Sequence, residues 1–263
     1  MFLTRFFRRV INFCLTLGLW VYFMLGYLVL MFVLFIPCYS RLKAVDAVLQ
    51  KSFHLHLKVF FALVNRLSPG VRFAVSEDVR NLRSSIIVCN HLSYLDPILL
   101  VSLFPRQTTI VKNTFFSVPI FGWFLRKAGY VPSSPTEMYG PAMINHLEDI
   151  KRQLAAGGNL FVFPEGTRGR RGRIAPFNRG VFSIARYCST GVKMVLIRNT
   201  ERLFRPGSFS FDTRGKFTVS MELIGSLTPD QLKNASISAS ADQARSLFER
   251  KIREAKTGGD GRA

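Results

Sequence analysis

From Val10 to Ser40 the chain carries no charged residue. That run of roughly thirty residues exceeds the about twenty needed by one membrane-crossing helix. It is rich in Leu, Phe, Val and Tyr, with Arg5, Arg8 and Arg9 before it and Arg41 and Lys43 after it. A secretory leader has an apolar core of only about 7–15 residues, and Cys38-Tyr-Ser40 makes a poor cleavage site. The run therefore reads as a lasting membrane attachment. Its basic flanks are nearly balanced, so they leave the orientation open. Two arrangements fit: one tilted span, or two shorter helices that meet near Gly26 and stay in one leaflet. The second lets both basic ends meet anionic headgroups.

Residues 41–70 continue with apolar positions at helical spacing, Val45, Val48, Leu49, Phe53, Leu57, Phe60, Phe61 and Val64, and stop at Ser68-Pro-Gly70. This predicts an amphipathic helix with Lys43, Lys51, Lys58 and Arg66 available to headgroups. Its His54 and His56 are too isolated for a metal site and read as surface or interfacial residues. Across the chain, 36 Lys and Arg against 16 Asp and Glu give a formal charge of +20, which favours anionic partners. There is no helix-turn-helix signature and no aromatic RNA-binding motif, so nucleic acid is not expected. Anionic membrane lipid is. Cys14, Cys38, Cys89 and Cys188 show no paired metal or redox spacing, which fits a reduced, cytoplasm-facing protein.

Beyond residue 70, short apolar runs alternate with helical patterns. Strands are predicted at Val71–Val75, Ile86–Cys89, Thr108–Val111, Leu160–Phe163 and Val192–Ile197. Helices are predicted at Pro97–Leu103, Phe121–Lys127, Tyr139–Ala156, Gly180–Cys188 and Ala241–Ala255. Phe209–Phe211 and Lys216–Ile224 read as a hairpin across Asp212-Thr-Arg-Gly215. The pattern implies an α/β fold whose mixed, largely parallel sheet is flanked by helices and turns antiparallel late. Residues 1–68 form the helical membrane anchor, 69–257 the α/β domain and 258–263 a disordered tail. A site is expected where loops leave the strand ends.

Two such loops carry the chemistry. His91 follows the Ile86–Cys89 strand, and Asp96 stands five residues on, ahead of Pro97. Asp before Pro is a helix-start pair, so capping is the plain use of Asp96. A carboxylate has two acceptor oxygens, however, and a turn into a helix also lets Asp96 orient one imidazole nitrogen. A neutral imidazole with a carboxylate partner can take a proton from a substrate hydroxyl. Ser93 lies between the two, but no Gly-x-Ser-x-Gly elbow is present. Cys89 reads as a buried structural thiol. The second loop is Phe163-Pro-Glu-Gly-Thr-Arg168, where Gly166 allows close approach, Thr167 offers a hydroxyl and Arg168 a planar fork suited to phosphate. Glu165 fits an anion cradle only by holding Arg168 or a substrate hydroxyl. Arg170, Arg171 and Arg173 extend the charge, and Arg179 opens the next helix as a further phosphate candidate.

Asn90-His91-x4-Asp96 and Phe163-Pro-Glu-Gly-Thr-Arg168, in this order and separation, resemble the motifs of the glycerolipid acyltransferase family whose bacterial type member is 1-acyl-sn-glycerol-3-phosphate acyltransferase. The likeness covers most of residues 70–225, and Phe177-Asn-Arg-Gly180 resembles a further family segment. It implies transfer of a fatty acyl group from acyl-CoA or acyl-ACP to the hydroxyl of a lysophospholipid, making phosphatidic acid. His91 would be the base and Asp96 its orienter, with Glu165 to Arg168 holding the acceptor and no metal or other cofactor needed. The resemblance also implies helices in the cytoplasmic leaflet of the inner membrane and an active site facing the cytoplasm. Two positions depart from the family. Ser134 stands where an Arg is usual, and Val192–Ile197 lacks a customary proline. The first points to an alternative acceptor such as a lyso-ornithine lipid.

Overall fold

Ile86–Cys89 and Asn159–Val162 are buried along their whole lengths, as central parallel strands covered on both faces must be. The structure is a computed structural model and describes residues 2–38, 45–133, 141–169 and 174–258. In chain order its elements are α1 (Phe2–Cys38), α2 (Val45–Leu67), β1 (Val71–Val75), α3 (Glu77–Arg80), β2 (Ile86–Cys89), α4 (Leu95–Leu103) and β3 (Gln107–Lys112). A 3-10 turn at Asn113–Ser117 leads to α5 (Phe121–Lys127), β4 (Val131–Ser133), α6 (Pro141–Ala155), β5 (Asn159–Val162) and α7 (Gly180–Tyr187). The chain continues with β6 (Val192–Arg198), α8 (Thr200–Leu203), β7 (Phe217–Leu227), α9 (Pro229–Asn234) and α10 (Ile237–Gly258).

The sheet runs β1-β7-β6-β2-β5-β3-β4. From β6 to β4 all pairings are parallel, β7 is antiparallel to β6, and β1 runs with β7. The expected mixed, largely parallel α/β fold is what the chain adopts. Alternate residues of each central strand feed two cores. Ile87, Cys89, Phe161 and Val195 pack with α2, α4 and α5 residues such as Phe60, Leu100 and Phe124. Ile86, Val88, Leu160 and Met194 pack with Ile150, Phe182 and Phe248 on the other face. Each fully buried Phe contributes about 1.5–3 kcal/mol by leaving water.

Of the two arrangements expected for the N-terminal region, the one with two shorter helices meeting near Gly26 is not found. Gly26 does not break a helix: α1 is continuous over 37 residues. Glycine is needed there for contact, because a Cβ would lie 2.8 Å from Cε1 of His56 on α2. The Tyr22 ring stacks on that imidazole at 4.9 Å. One edge of α1 is bound to the domain by polar bonds. Phe211 N–H donates to Thr16 Oγ1 (3.2 Å), the Trp20 indole to the Phe209 carbonyl (3.0 Å), and the Thr213 N–H and hydroxyl to Asn12 Oδ1. The opposite edge exposes Leu17, Val21, Leu25, Leu28 and Val29 among others. Within α1, Arg9–Leu30 is long and apolar enough to cross a membrane.

His54 and His56 are buried rather than on the surface, His54 Nδ1 lying 3.0 Å from the Val101 carbonyl. Burial pushes both imidazoles below their ordinary pKa. The expected hairpin is also absent. β7 begins at Phe217 and pairs with β6 and β1, while Phe211 makes only a single bridge to Phe204. The apolar residues at 209–211 serve α1 instead, Trp20 packing on Phe209 at 6.1 Å and Phe211 at 5.9 Å.

Candidate active site

β2, β5 and β6 are parallel neighbours, so their C-terminal ends open at one sheet edge. The strand ladder does not stop at Cys89. The buried Asn90 side chain donates through Nδ2 to the Ile197 carbonyl (2.9 Å) and accepts from the Ile197 N–H at Oδ1 (2.7 Å), so its amide imitates one more backbone unit. This fixes the point from which the next residue, His91, leaves the sheet.

His91 and Asp96 meet. Nδ1 lies 2.8 Å from Asp96 Oδ2, with the imidazole side chain 18% exposed and the carboxylate wholly buried. α4 starts at Leu95, so Asp96 sits in its first turn and turns back on the preceding residues instead of capping. Leu92 and Ser93 N–H donate to the same Oδ2 at 2.6 and 2.8 Å. The Thr200 hydroxyl donates to Oδ1 at 2.5 Å. Thr200 is brought there by Asn199, whose left-handed φ of 66° ends β6 abruptly and is a conformation asparagine tolerates. With donors on every other side of the carboxylate, the imidazole proton belongs on Nδ1, and Nε2 keeps its lone pair. Phe163 stacks on the ring at 4.4 Å between centroids.

Ser93 is fully buried, its hydroxyl given to the Phe204 carbonyl at 2.8 Å. Burial first, and the charge of Asp96 second, push the Cys89 thiol far above its ordinary pKa. Neither is placed as a nucleophile.

The Phe163–Arg168 loop lies against this turn. Glu165, expected at the acceptor, uses both carboxylate oxygens on backbone: Oε1 accepts from His91 N–H (3.1 Å) and Oε2 from Ala175 N–H (3.0 Å). Burial is the main reason its carboxyl is pushed above the ordinary value, with the two N–H donors acting in the other direction. Gly169 N–H donates to the His91 carbonyl at 2.7 Å, so His91 is held by this loop at both its N–H and its C=O. Gly166 has φ 65°, the left-handed turn glycine adopts without strain, and Gly166 and Thr167 are exposed. The Arg168 guanidinium lies 3.7 Å over the Tyr94 ring and donates through Nη2 to the Tyr94 hydroxyl (2.9 Å), while its buried Nη1 makes no hydrogen bond. Asn178 N–H donates to the Pro164 carbonyl (2.8 Å), which ties the exposed Arg179 at the head of α7 to the same loop. Ser134, Arg170, Arg171 and Arg173 lie outside the described residues. Among the described residues no cluster of three or more His, Cys, Asp or Glu is placed to hold a metal.

Tyr94 and Thr200 were not singled out from the sequence. Tyr94 stood inside the first motif as an unassigned aromatic. Thr200 lies over a hundred residues from Asp96 and is joined to it only by the β2–β6 pairing.

An imidazole oriented by a buried carboxylate thus stands beside an arginine-bearing loop at the C-terminal edge of this sheet. Residues 70–197 match the family model described as Acyltransferase. It is 29% identical over 217 residues to a chloroplastic 1-acyl-sn-glycerol-3-phosphate acyltransferase of Arabidopsis thaliana, covering 80% of this chain and 57% of that one. It is 23% identical over 209 residues to the 1-acyl-sn-glycerol-3-phosphate acyltransferase of Salmonella typhimurium, covering 76% and 81%. The chain spans about half the length of the plant relatives it matches, 57% and 46% for the Arabidopsis and Brassica napus proteins. The crystal structure of the 1-acyl-sn-glycerophosphate acyltransferase PlsC from Thermotoga maritima superposes with a TM-score of 0.68 at 26% identity, over 95% of this chain and 98% of that one.

Proposed function

We propose that the protein is a membrane-bound O-acyltransferase. It moves a fatty acyl group from acyl-CoA or acyl-ACP to the free hydroxyl of 1-acyl-sn-glycerol-3-phosphate and yields phosphatidic acid. The observation that carries this is the 2.8 Å contact of His91 with the buried Asp96, beside a loop whose arginine retains a donor. His91 Nε2 takes the acceptor hydroxyl's proton as its oxygen attacks the thioester carbonyl. The tetrahedral adduct then collapses with loss of the thiolate, and the imidazolium returns the proton to sulfur. Asp96 fixes the ring and stabilises the cation, a contribution of about 10²–10⁴-fold for a general base.

Gly166, Thr167, Arg168 and Arg179 meet the acceptor phosphate, and Glu165 acts by holding the loop to His91. The apolar outer edge of α1 rests in the cytoplasmic leaflet of the inner membrane, with its other edge bound to the domain, so the active site faces the cytoplasm at the lipid surface. The names of the relatives support the acceptor, and the apolar edge of α1 supports the membrane.

The test is product mass spectrometry on liposomes given acyl-CoA or acyl-ACP with lysophosphatidic acid and lyso-ornithine lipid together. Phosphatidic acid from wild type and none from His91→Ala is the expected result. Acylated ornithine lipid alone would replace the acceptor, and full activity of His91→Ala would overturn the mechanism.

A further inference from the structure

Three large apolar side chains stand in solvent within six residues: Phe115 (45% exposed), Val118 (45%) and Ile120 (54%). They occupy the 3-10 turn and the link to α5, just beyond the C-terminal end of β3. β3 is parallel to β5, so this loop opens at the same edge as Glu165–Arg168. β2, β5 and β3 are consecutive in the sheet, which places the loop two strand spacings, about 10 Å, from the turn bearing His91.

The backbone holds these side chains outward. Gly122 lies so close to the Phe116 carbonyl that a Cβ would come within 2.0 Å of its oxygen, so the loop doubles back tightly. Phe121 N–H donates to the Pro119 carbonyl (2.6 Å) around Ile120, whose φ of 62° and ψ of −52° form a strained γ-turn. A β-branched residue rarely adopts positive φ, and here it projects to solvent instead of into a core.

The loop adjoins α1. Tyr27 packs edge-on against Phe121 at 6.1 Å and Phe124 at 5.9 Å, and Phe115 against Phe121 at 6.1 Å. Its apolar surface therefore continues that of α1 near Leu28 and Val29, which are 44% and 54% exposed. Exposed Lys112, Arg126 and Lys127 rim it, the charge an anionic lipid surface attracts.

We propose that this loop is a second bilayer contact, with Phe115, Val118 and Ile120 inserting beside α1. The inference rests on the membrane reading of α1 and adds a separate element to it. The site then opens between two inserted elements, and the lipid acceptor and product exchange with the leaflet without crossing water.

A nitrobenzoxadiazole dye on Ile120→Cys, with Cys14 and Cys38 replaced by Ser, tests this on phosphatidylcholine–phosphatidylglycerol vesicles. A dye on Val21→Cys in the same background reports α1. Quenching of both dyes by acyl-chain nitroxide lipid is expected. Quenching at 21 with only aqueous iodide acting at 120 overturns the loop contact alone. Aqueous quenching at both positions overturns the membrane reading with it.

A Val118→Ser/Ile120→Gly chain gives an independent measure, since glycine takes the positive φ without strain. Its turnover of vesicle-borne lysophosphatidic acid should fall roughly tenfold or more through weakened partition, with micellar turnover and thermal midpoint unchanged. Equal losses in vesicles and micelles would also overturn the loop contact.

Discussion

The turn after β2 leaves almost none of its polar atoms to spare, whereas the adjacent turn after β5 holds several back. In the first, Asp96 gathers four donors, Asn90 is spliced into β6 and the Ser93 hydroxyl is bonded out of reach. In the second, Glu165 is fully used and the Gly166 N–H donates to the Phe163 carbonyl (3.1 Å), while the exposed Thr167 and the buried, unbonded Nη1 of Arg168 remain uncommitted. A group that must hold one proton-transfer geometry gains from saturation, because each satisfied bond removes an alternative position. A group that must receive a ligand needs donors not already committed. The two loops divide those requirements between them.

The largest effect is expected in the saturated turn. Asp96→Asn removes the negative charge that stabilises the imidazolium and leaves the amide N–H₂ only the Thr200 hydroxyl as an acceptor. Steady-state turnover should drop about 10³-fold or more with KM little changed. A kcat within tenfold of wild type would show that the turn does not orient a base.

Next comes the open turn. Arg168→Ala removes a charged hydrogen bond worth about 1.5–3 kcal/mol, so kcat/KM should fall about 10–100-fold, mainly in KM. The loss should be confined to phosphate-bearing acceptors. An equal loss with monoacylglycerol would end the distinction between the loops.

The smallest effect concerns the joint between them. Glu165→Gln turns one N–H₂ toward a backbone N–H and should cost about 1–3 kcal/mol in urea unfolding. Burial sets the folded Glu165 carboxyl above the ordinary 4.5, so between those values the native state keeps a proton that the unfolded state has released. Wild-type stability should therefore lose a contribution as pH rises through that window, and the Gln chain should lack this slope. Identical pH profiles would place the titration elsewhere.

What the sequence disclosed follows the range of each interaction. The His91–Asp96 pairing was legible because both residues sit in one turn, and the sheet was legible because Ile86–Cys89 and Leu160–Phe163 are apolar throughout. The work of Glu165 was not, since its partners are backbone N–H groups at residues 91 and 175, which no residue type announces. Thr200 was silent because its partner, Asp96, lies over a hundred residues away and meets it only through the β2–β6 pairing. Phe209–Phe211 misled because an apolar run looks alike whether it joins a sheet or cushions a helix. Gly26 misled because a glycine chosen for close packing on His56 looks like one chosen for a bend.

The way α1 is attached bears on handling the protein. Leu19 is a core residue, and Trp20 packs at 5.7 Å on Phe204, the residue whose carbonyl receives the Ser93 hydroxyl. Cutting away the greasy N-terminus would thus unroof the turn that carries His91 and Asp96 and leave a sticky remnant. A water-soluble enzyme is better sought by repainting Leu17, Val21, Leu25 and Leu28 with polar residues and leaving the inner edge untouched.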